Sequence, residues 1–325
     1  MNVKHVIGVG NGYDALFAAL KVLNIGKGDL VAVPNHTFIA TWLAVNAVGA
    51  TPVGIDCDES GLIDLDKLEG FIGELSAVIP VHMHGQMVDM PRLIKWANLN
   101  KIKVIEDCAQ AHGAEIHGKK AGSWGDFGAF SFYPTKNLGA AGDAGALVTN
   151  DSQLADEARS FVNYGSIIGK KYEYSKIGVN SRLDPIQAKI LSVNLPYLNE
   201  WNLHRRRIAE IYSTFFSNIG IRNFKIKEDS VFHHFIVFSE QRDNSRKLLN
   251  DSGIKTAMHY PELASETYSK LIGTALKPFS SLNRKFANNG ISLPISQWHK
   301  ISDINYVTDV ISRSTILRSF LTETK

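Results

Sequence analysis

Short apolar runs rich in β-branched residues recur through the first two thirds of the chain, at 30–34, 52–55, 77–81, 103–106, 128–132 and 145–149. Between them lie stretches with apolar residues at helical spacing, such as 13–23, where Leu16, Leu20 and Leu23 share a face, and 91–98. Continuous apolar strands alternating with helices predict an α/β fold whose mostly parallel sheet is covered on both faces. In such sheets ligands gather at the carboxyl ends of the strands. The texture changes after Arg182, where 183–198 and 201–216 read as two long helices parted near Pro196. A strand at 232–238, a helix near 244–250 and a short strand at 254–257 then predict a small α+β domain, with the division placed at 1–200 and 201–325.

Composition narrows the class. At 325 residues and 44% hydrophobic content, the chain can bury a large core, or one large and one small domain. With 35 basic against 32 acidic residues the net charge is +3, which gives no electrostatic case for nucleic acid or a membrane as partner. The basic run at 205–207 reads as a solvated helix face. Cys57 and Cys108 cannot make a disulfide framework and fit a reducing compartment. With no leader pattern, and no apolar stretch of the roughly eighteen residues a membrane span needs, a cytoplasmic protein is expected.

Candidate chemistry begins at FSFYPTKNLG (130–139), where a strand runs into a Pro-broken turn and then Lys136 among small residues. Taken singly, Lys136 reads as an ordinary loop lysine. Upstream, VIED (104–107) ends an apolar strand on Asp107, which alone reads as a helix cap or turn residue. Beside a cofactor pocket, however, a strand-end carboxylate can pair with a protonated pyridine nitrogen. A third element, GVGNGYDAL (8–16), is a glycine-rich turn entering a helix, whose free amides suit a phosphate. It does not complete a dinucleotide fingerprint. His82, His84, His233 and His234 have no carboxylate or cysteine at ligand spacing and read as packing residues, so no metal is expected.

The segments NGYDAL, VPNHTFIAT, VIEDCAQAHGA, GSWGDFGAFSFYPTKNLGAAGDAGALVTN and GVNSRLDPIQAKIL, in this order, resemble the DegT/DnrJ/EryC1/StrS family of sugar aminotransferases over roughly residues 3–207. The resemblance implies an aspartate-aminotransferase-like fold, type I among enzymes of pyridoxal 5′-phosphate, and a homodimer with shared active sites. It implies Lys136 as the Schiff-base lysine and proton carrier, Asp107 as partner of the ring nitrogen and Gln110 as neighbour of the ring hydroxyl. Phe38 is implied to stack on the ring, and the amides of Asn11, Gly12 and Tyr13 with the Ser131 hydroxyl to hold the phosphate. Asn180 is implied to reach the phosphate of the neighbouring subunit's cofactor.

The implied partners are an amino-acid donor, L-glutamate in this family, and a nucleotide-linked keto sugar. Tyr164, Arg182, His259 and Tyr260 resemble the subgroup that aminates carbon 3 of dTDP-3-keto-6-deoxyhexoses, whereas members acting at carbon 4 more often carry histidine at the Tyr164 position. Amination at carbon 4 is one alternative. Family members carry a helix and loop ahead of the segment at 3–9, so a shortened, catalytically silent paralogue is the other.

Overall fold

The computed structural model describes residues 3–219, 230–274 and 280–313. Nine strands precede residue 150: β1 (His5–Val9), β2 (Leu30–Pro34), β3 (Thr51–Ile55), β4 (Leu75–Val78), β5 (Lys103–Asp107), the short β6 (Glu115–Ile116) and β7 (Lys119–Lys120), β8 (Phe127–Ser131) and β9 (Gly145–Thr149). Seven of them make one sheet in the order β1-β9-β8-β5-β4-β2-β3, while β6 and β7 pair with each other. Strands β8, β5, β4, β2 and β3 are parallel neighbours, and β9 runs against both β8 and β1.

Helices α1 (Gly12–Val22), α2 (Ile39–Ala47), α3 (Met90–Asn100) and α4 (Ser152–Phe161) cover the sheet. The period-two alternation of each strand explains why its runs are apolar throughout. Val31, Val33, Ile105 and Leu147 enter the core under α1, α2 and α4. Their neighbours Ala32, Val104, Ala146 and Val148 enter the core that α3 closes with Leu93 and Ala97. Caps set the helix starts: the Asp89, Asp151 and Asp184 side chains accept first-turn amides, with Pro91 and Pro185 just inside.

The two helices expected after Arg182 are α5 (Pro185–Asn194) and α6 (Leu198–Asn218), parted by a 3-10 turn over Leu195–Tyr197 that contains Pro196. Helix α6 begins beside Leu138, Ala140 and Leu191, and continues into a separate core with Ile208, Tyr212 and Phe216. That core surrounds an antiparallel pair, β10 (Phe235–Phe238) and β11 (Gly290–Leu293). It is flanked by α7 (Arg242–Asp251), α9 (Ser281–Asn289) and α10 (Ile301–Arg313). Between α7 and α9, α8 (Ala264–Ile272) returns to the large sheet, where Tyr268 packs on Trp42 and donates to Asn46 at 2.8 Å.

Three expectations need correction. The strand expected at 232–238 is only β10, because the preceding backbone is engaged elsewhere: the His233 amide donates to His84 O at 2.9 Å, and Arg205 donates to the Phe232 and His233 carbonyls. The run at 254–257 is no strand, since Ile254 donates back to Leu249 O to close α7 and Ala257 alone bridges to Ser292. Arg205 is not solvated. It is 2% exposed and also donates to Ile295 O and Gln297 Oε1, joining α6 to two segments of the second core.

Candidate active site

Strands β5 and β8 lie side by side, with Asp107 opposite Ala129, so Asp107 and Ser131 arrive together at the carboxyl edge of the sheet. The connection from β8 to β9 turns back through Pro134 and sets Lys136 over that edge, its amide donating to Tyr133 O at 2.8 Å. A cavity of about 370 Å³ opens there. It gathers Asn11, Gly12, Tyr13, Phe38, Asp107, Gln110, Ser131, Lys136, His259 and Tyr260, ten of the residues singled out in the sequence.

The electrostatics follow from burial. Asp107 accepts the Thr41 hydroxyl on Oδ2 at 2.9 Å and the Ala109 amide on Oδ1 at 3.1 Å. Burial pushes its carboxyl up, opposed by those two bonds and by Lys136 and His82. Burial likewise lowers the Lys136 ammonium from its ordinary value, against the pull of Asp107. A lysine so placed is held nearer its free-amine form, which nucleophilic and proton-transfer work requires.

Opposite this pair, Gln110 is locked in orientation. Its Oε1 accepts the His84 amide at 2.7 Å, and its Nε2 donates to the Tyr260 hydroxyl at 3.1 Å. The Tyr260 ring packs 5.5 Å from Phe38, which stands at the mouth of the cavity and is 54% exposed.

The glycine-rich turn makes the cavity's other end. Asn11 caps α1 by accepting the Asp14 amide at 2.9 Å, which leaves the earlier Gly12 and Tyr13 amides at the helix start. A Cβ on Gly12 would stand 2.8 Å from Ser131 Cβ, so only glycine lets α1 approach the end of β8 this closely. Ser181 ties the turn down by accepting from the Gly10 amide and donating to Asp14 Oδ2. The set fits a small aromatic phosphate: an anion cradle at one end, an amine and an oriented carboxylate at the other.

Tyr164, Asn180 and Arg182 do not join the cavity. All three are exposed, and Asn163 bridges to Asn180 on a surface patch. Thr41 and the buried His36 escaped the sequence reading. His36 accepts the Tyr260 amide at 3.1 Å, and His234 stacks on His259 at 3.7 Å. Burial holds His36 and His259 down at about 4.

His82 does have a carboxylate and a cysteine beside it, Glu106 and Cys108, brought together by β5 rather than by sequence spacing. Its ring nitrogens are engaged by Glu106 Oε2 at 3.0 Å and by the Val88 amide at 3.3 Å. Glu106 in turn accepts the Gly122, Trp124 and Gly125 amides, so this group pins the turn before β8.

A model of the DegT/DnrJ/EryC1/StrS aminotransferase family matches residues 1–312. The chain belongs to this family. It is 42% identical over 299 residues to the dTDP-3-amino-3,4,6-trideoxy-alpha-D-glucose transaminase of Streptomyces venezuelae, covering 90% of this chain and 78% of that one. Among solved structures, DesV of S. venezuelae in complex with a ketimine intermediate superposes with a TM-score of 0.90 at 39% identity, covering 95% of this chain and 84% of DesV. NtdA of Bacillus subtilis with bound cofactor PMP superposes with a TM-score of 0.87 at 30% identity, covering 95% and 73%. Among the described residues, no helix is long and apolar enough to cross a membrane.

Proposed function

We propose that the protein is a pyridoxal 5′-phosphate-dependent aminotransferase that moves an amino group from L-glutamate to carbon 3 of a dTDP-linked 3-keto-6-deoxyhexose. The observation that carries the reading is the meeting of Lys136, Asp107 and the start of α1 in one cavity. Bound there, the cofactor supplies an electron sink for proton transfer at the donor's α carbon.

The chain's own residues do the rest. Lys136 would carry the cofactor and then the proton, a task served by an amine whose ammonium form burial disfavours. Asp107 would meet the ring nitrogen, Gln110 the ring hydroxyl and Phe38 the ring face. The Gly12 and Tyr13 amides, with the Ser131 hydroxyl, would hold the phosphate at the positive end of α1. His259 and Tyr260 line the same cavity from the far side and address the sugar.

The exposed Tyr164, Asn180 and Arg182 belong to a second copy's site in this reading. Support comes from the intervening segment, where Ile168, Tyr172, Tyr174 and Ile177 each expose a large apolar side chain, Ile177 at 96%. Such a surface is a partner surface. The two free cysteines are buried, which fits work in the reducing cytoplasm.

The test is to supply L-glutamate with a panel of dTDP- and UDP-linked keto sugars and identify the aminated product by mass spectrometry. Amination of a 3-keto sugar supports the proposal. Amination at carbon 4 alone, or no product from any sugar, defeats it.

A further inference from the structure

Thr41 sits in the first turn of α2, lines the cavity, and donates its hydroxyl to Asp107 Oδ2 at 2.9 Å. The other carboxylate oxygen is held by the Ala109 amide. The Asp107 backbone is fixed as well, its amide donating to Pro80 O at 2.9 Å and its carbonyl accepting the His82 amide at 3.1 Å. The carboxylate therefore cannot turn without breaking a bond.

Behind Thr41 stands Thr37, with the two hydroxyl oxygens 3.4 Å apart. An ionised carboxylate only accepts, so the Thr41 hydrogen points at Asp107 and its oxygen is left to accept from Thr37. Two hydroxyls aligned this way polarise one another toward the carboxylate. Both threonines are buried, at 2% and 1% exposure. The register of α2 is itself pinned by Trp42, whose indole donates to Pro34 O at 2.9 Å.

We propose that Thr41, backed by Thr37, is a positioning residue that fixes the Asp107 carboxylate as an acceptor for the ring nitrogen of pyridoxal phosphate. The role rests on the reading of the cavity given above. Between ring nitrogen and Asp107 oxygen one proton is shared: it sits as N–H facing a carboxylate, or moves to make O–H facing a bare nitrogen. Burial drives Asp107 toward the second arrangement, and the titratable groups facing it are Lys136, His82, Tyr260 and Cys108. A donor to the charged carboxylate opposes that drift and keeps the proton on the nitrogen, where the electron sink needs it.

The decisive measurement is the ¹⁵N chemical shift of the holoprotein reconstituted with pyridoxal phosphate labelled at the ring nitrogen. Thr41→Val removes the hydroxyl at nearly constant shape, Thr41→Ser keeps it, and Asp107→Asn marks the unprotonated end. Wild type and Thr41→Ser should give a pyridinium-like shift. Thr41→Val should move the proton distribution about ten-fold or more toward the carboxyl, with kcat lowered and the KM for glutamate little changed. Thr37→Val should move it the same way, but less. A Thr41→Val nitrogen indistinguishable from wild type overturns the role while leaving the cofactor site intact. If Thr41→Val does not fold, Thr37→Val decides, and an unshifted nitrogen there overturns it. Wild type that takes up no labelled cofactor overturns the reading of the cavity, and this role with it.

Discussion

Lys136 stands on a turn rather than on a regular element, yet the turn is held tightly. Its neighbour Asn137 is fully buried, donating to Asn202 Oδ1 and Val231 O and facing His233 Nδ1 at 3.0 Å through its own Oδ1. Lys136→Ala should therefore fold with a thermal midpoint close to wild type. Borohydride reduction in the presence of pyridoxal phosphate should fix the cofactor to the wild-type peptide containing Lys136 and to no peptide of the variant. A label on another lysine would refute the assignment.

Two residues, one misread in the sequence and one missed, have a physical signature that was available. Arg205 precedes Ile208 and Ala209 by three and four residues and Tyr212 by seven, all fully buried, so it lies on the inward face of α6. Three adjacent arginines hide that phase from a composition reading. Thr41 stands in the first turn of α2, three residues after the capping residue Phe38, and a helix that starts at the cavity mouth brings its first turn to the cavity as well.

At the scale of elements, the doubly buried strands were legible because β2, β8 and β9 carry apolar or small residues on both faces in runs too short for a helix. Strand β1 was not, since its five residues lead straight into the glycine-rich turn that draws the eye. Strand β11 was missed because four residues with a leading glycine carry no period. The Asp107–Lys136 half of the site was legible because adjacent parallel strands deliver both to one edge. The Tyr260 half was legible only through the resemblance of His259 and Tyr260 to one subgroup of the family, because it enters from a segment that no periodicity connects to the sheet.

The junction of α1 with β8 makes a sharp prediction. Gly12→Ala places a methyl 2.8 Å from Ser131 Cβ and 3.2 Å from Ser131 Cα, which is backbone and cannot swing aside. Overpacking of this kind costs about 1–3 kcal/mol. Fluorescence titration should show pyridoxal phosphate binding weakened about ten-fold or more. Unchanged affinity would mean the phosphate lies elsewhere.

At the scale of the whole molecule, the histidine cluster joins the two cores, with His36 and His84 from the large sheet against His234 and His259 from the other side. Burial depresses His36 to about 4, below its ordinary 6.5. The unfolded chain therefore binds protons first as pH falls. The neutral cluster contributes its full stability above about pH 6.5 and loses it progressively toward pH 4. For His36 alone the loss is about 2 kcal/mol by pH 5. Thermal midpoints should be level from pH 7 to 8 and drop between pH 6.5 and 5, less steeply in His36→Asn. A variant with the wild-type slope would exclude His36 as a source.

Assembly can be read by mixing. If Asn180 serves the partner's site, Asn180→Ala should bind cofactor about ten-fold or more weakly, the worth of a hydrogen bond to a charged group. Mixed with Lys136→Ala chains it forms heterodimers holding one site with both lesions and one with neither. Activity should return on mixing. No return despite demonstrated subunit exchange would confine Asn180 to its own chain.

The pairing of β1 with β9 has a consequence for how the molecule is made. His5 pairs with Thr149, so β1 leaves the ribosome well before the strand it pairs with and waits for it. At the usual 5–20 residues per second that wait is roughly 7–30 s. Until then α1 has no finished edge to rest on, and Gly12 has no Ser131 beside it. Nascent chains thus lack a finished phosphate cradle until nearly half of the 325 residues have been made, and a chaperone that shields residues 3–22 in that interval protects it.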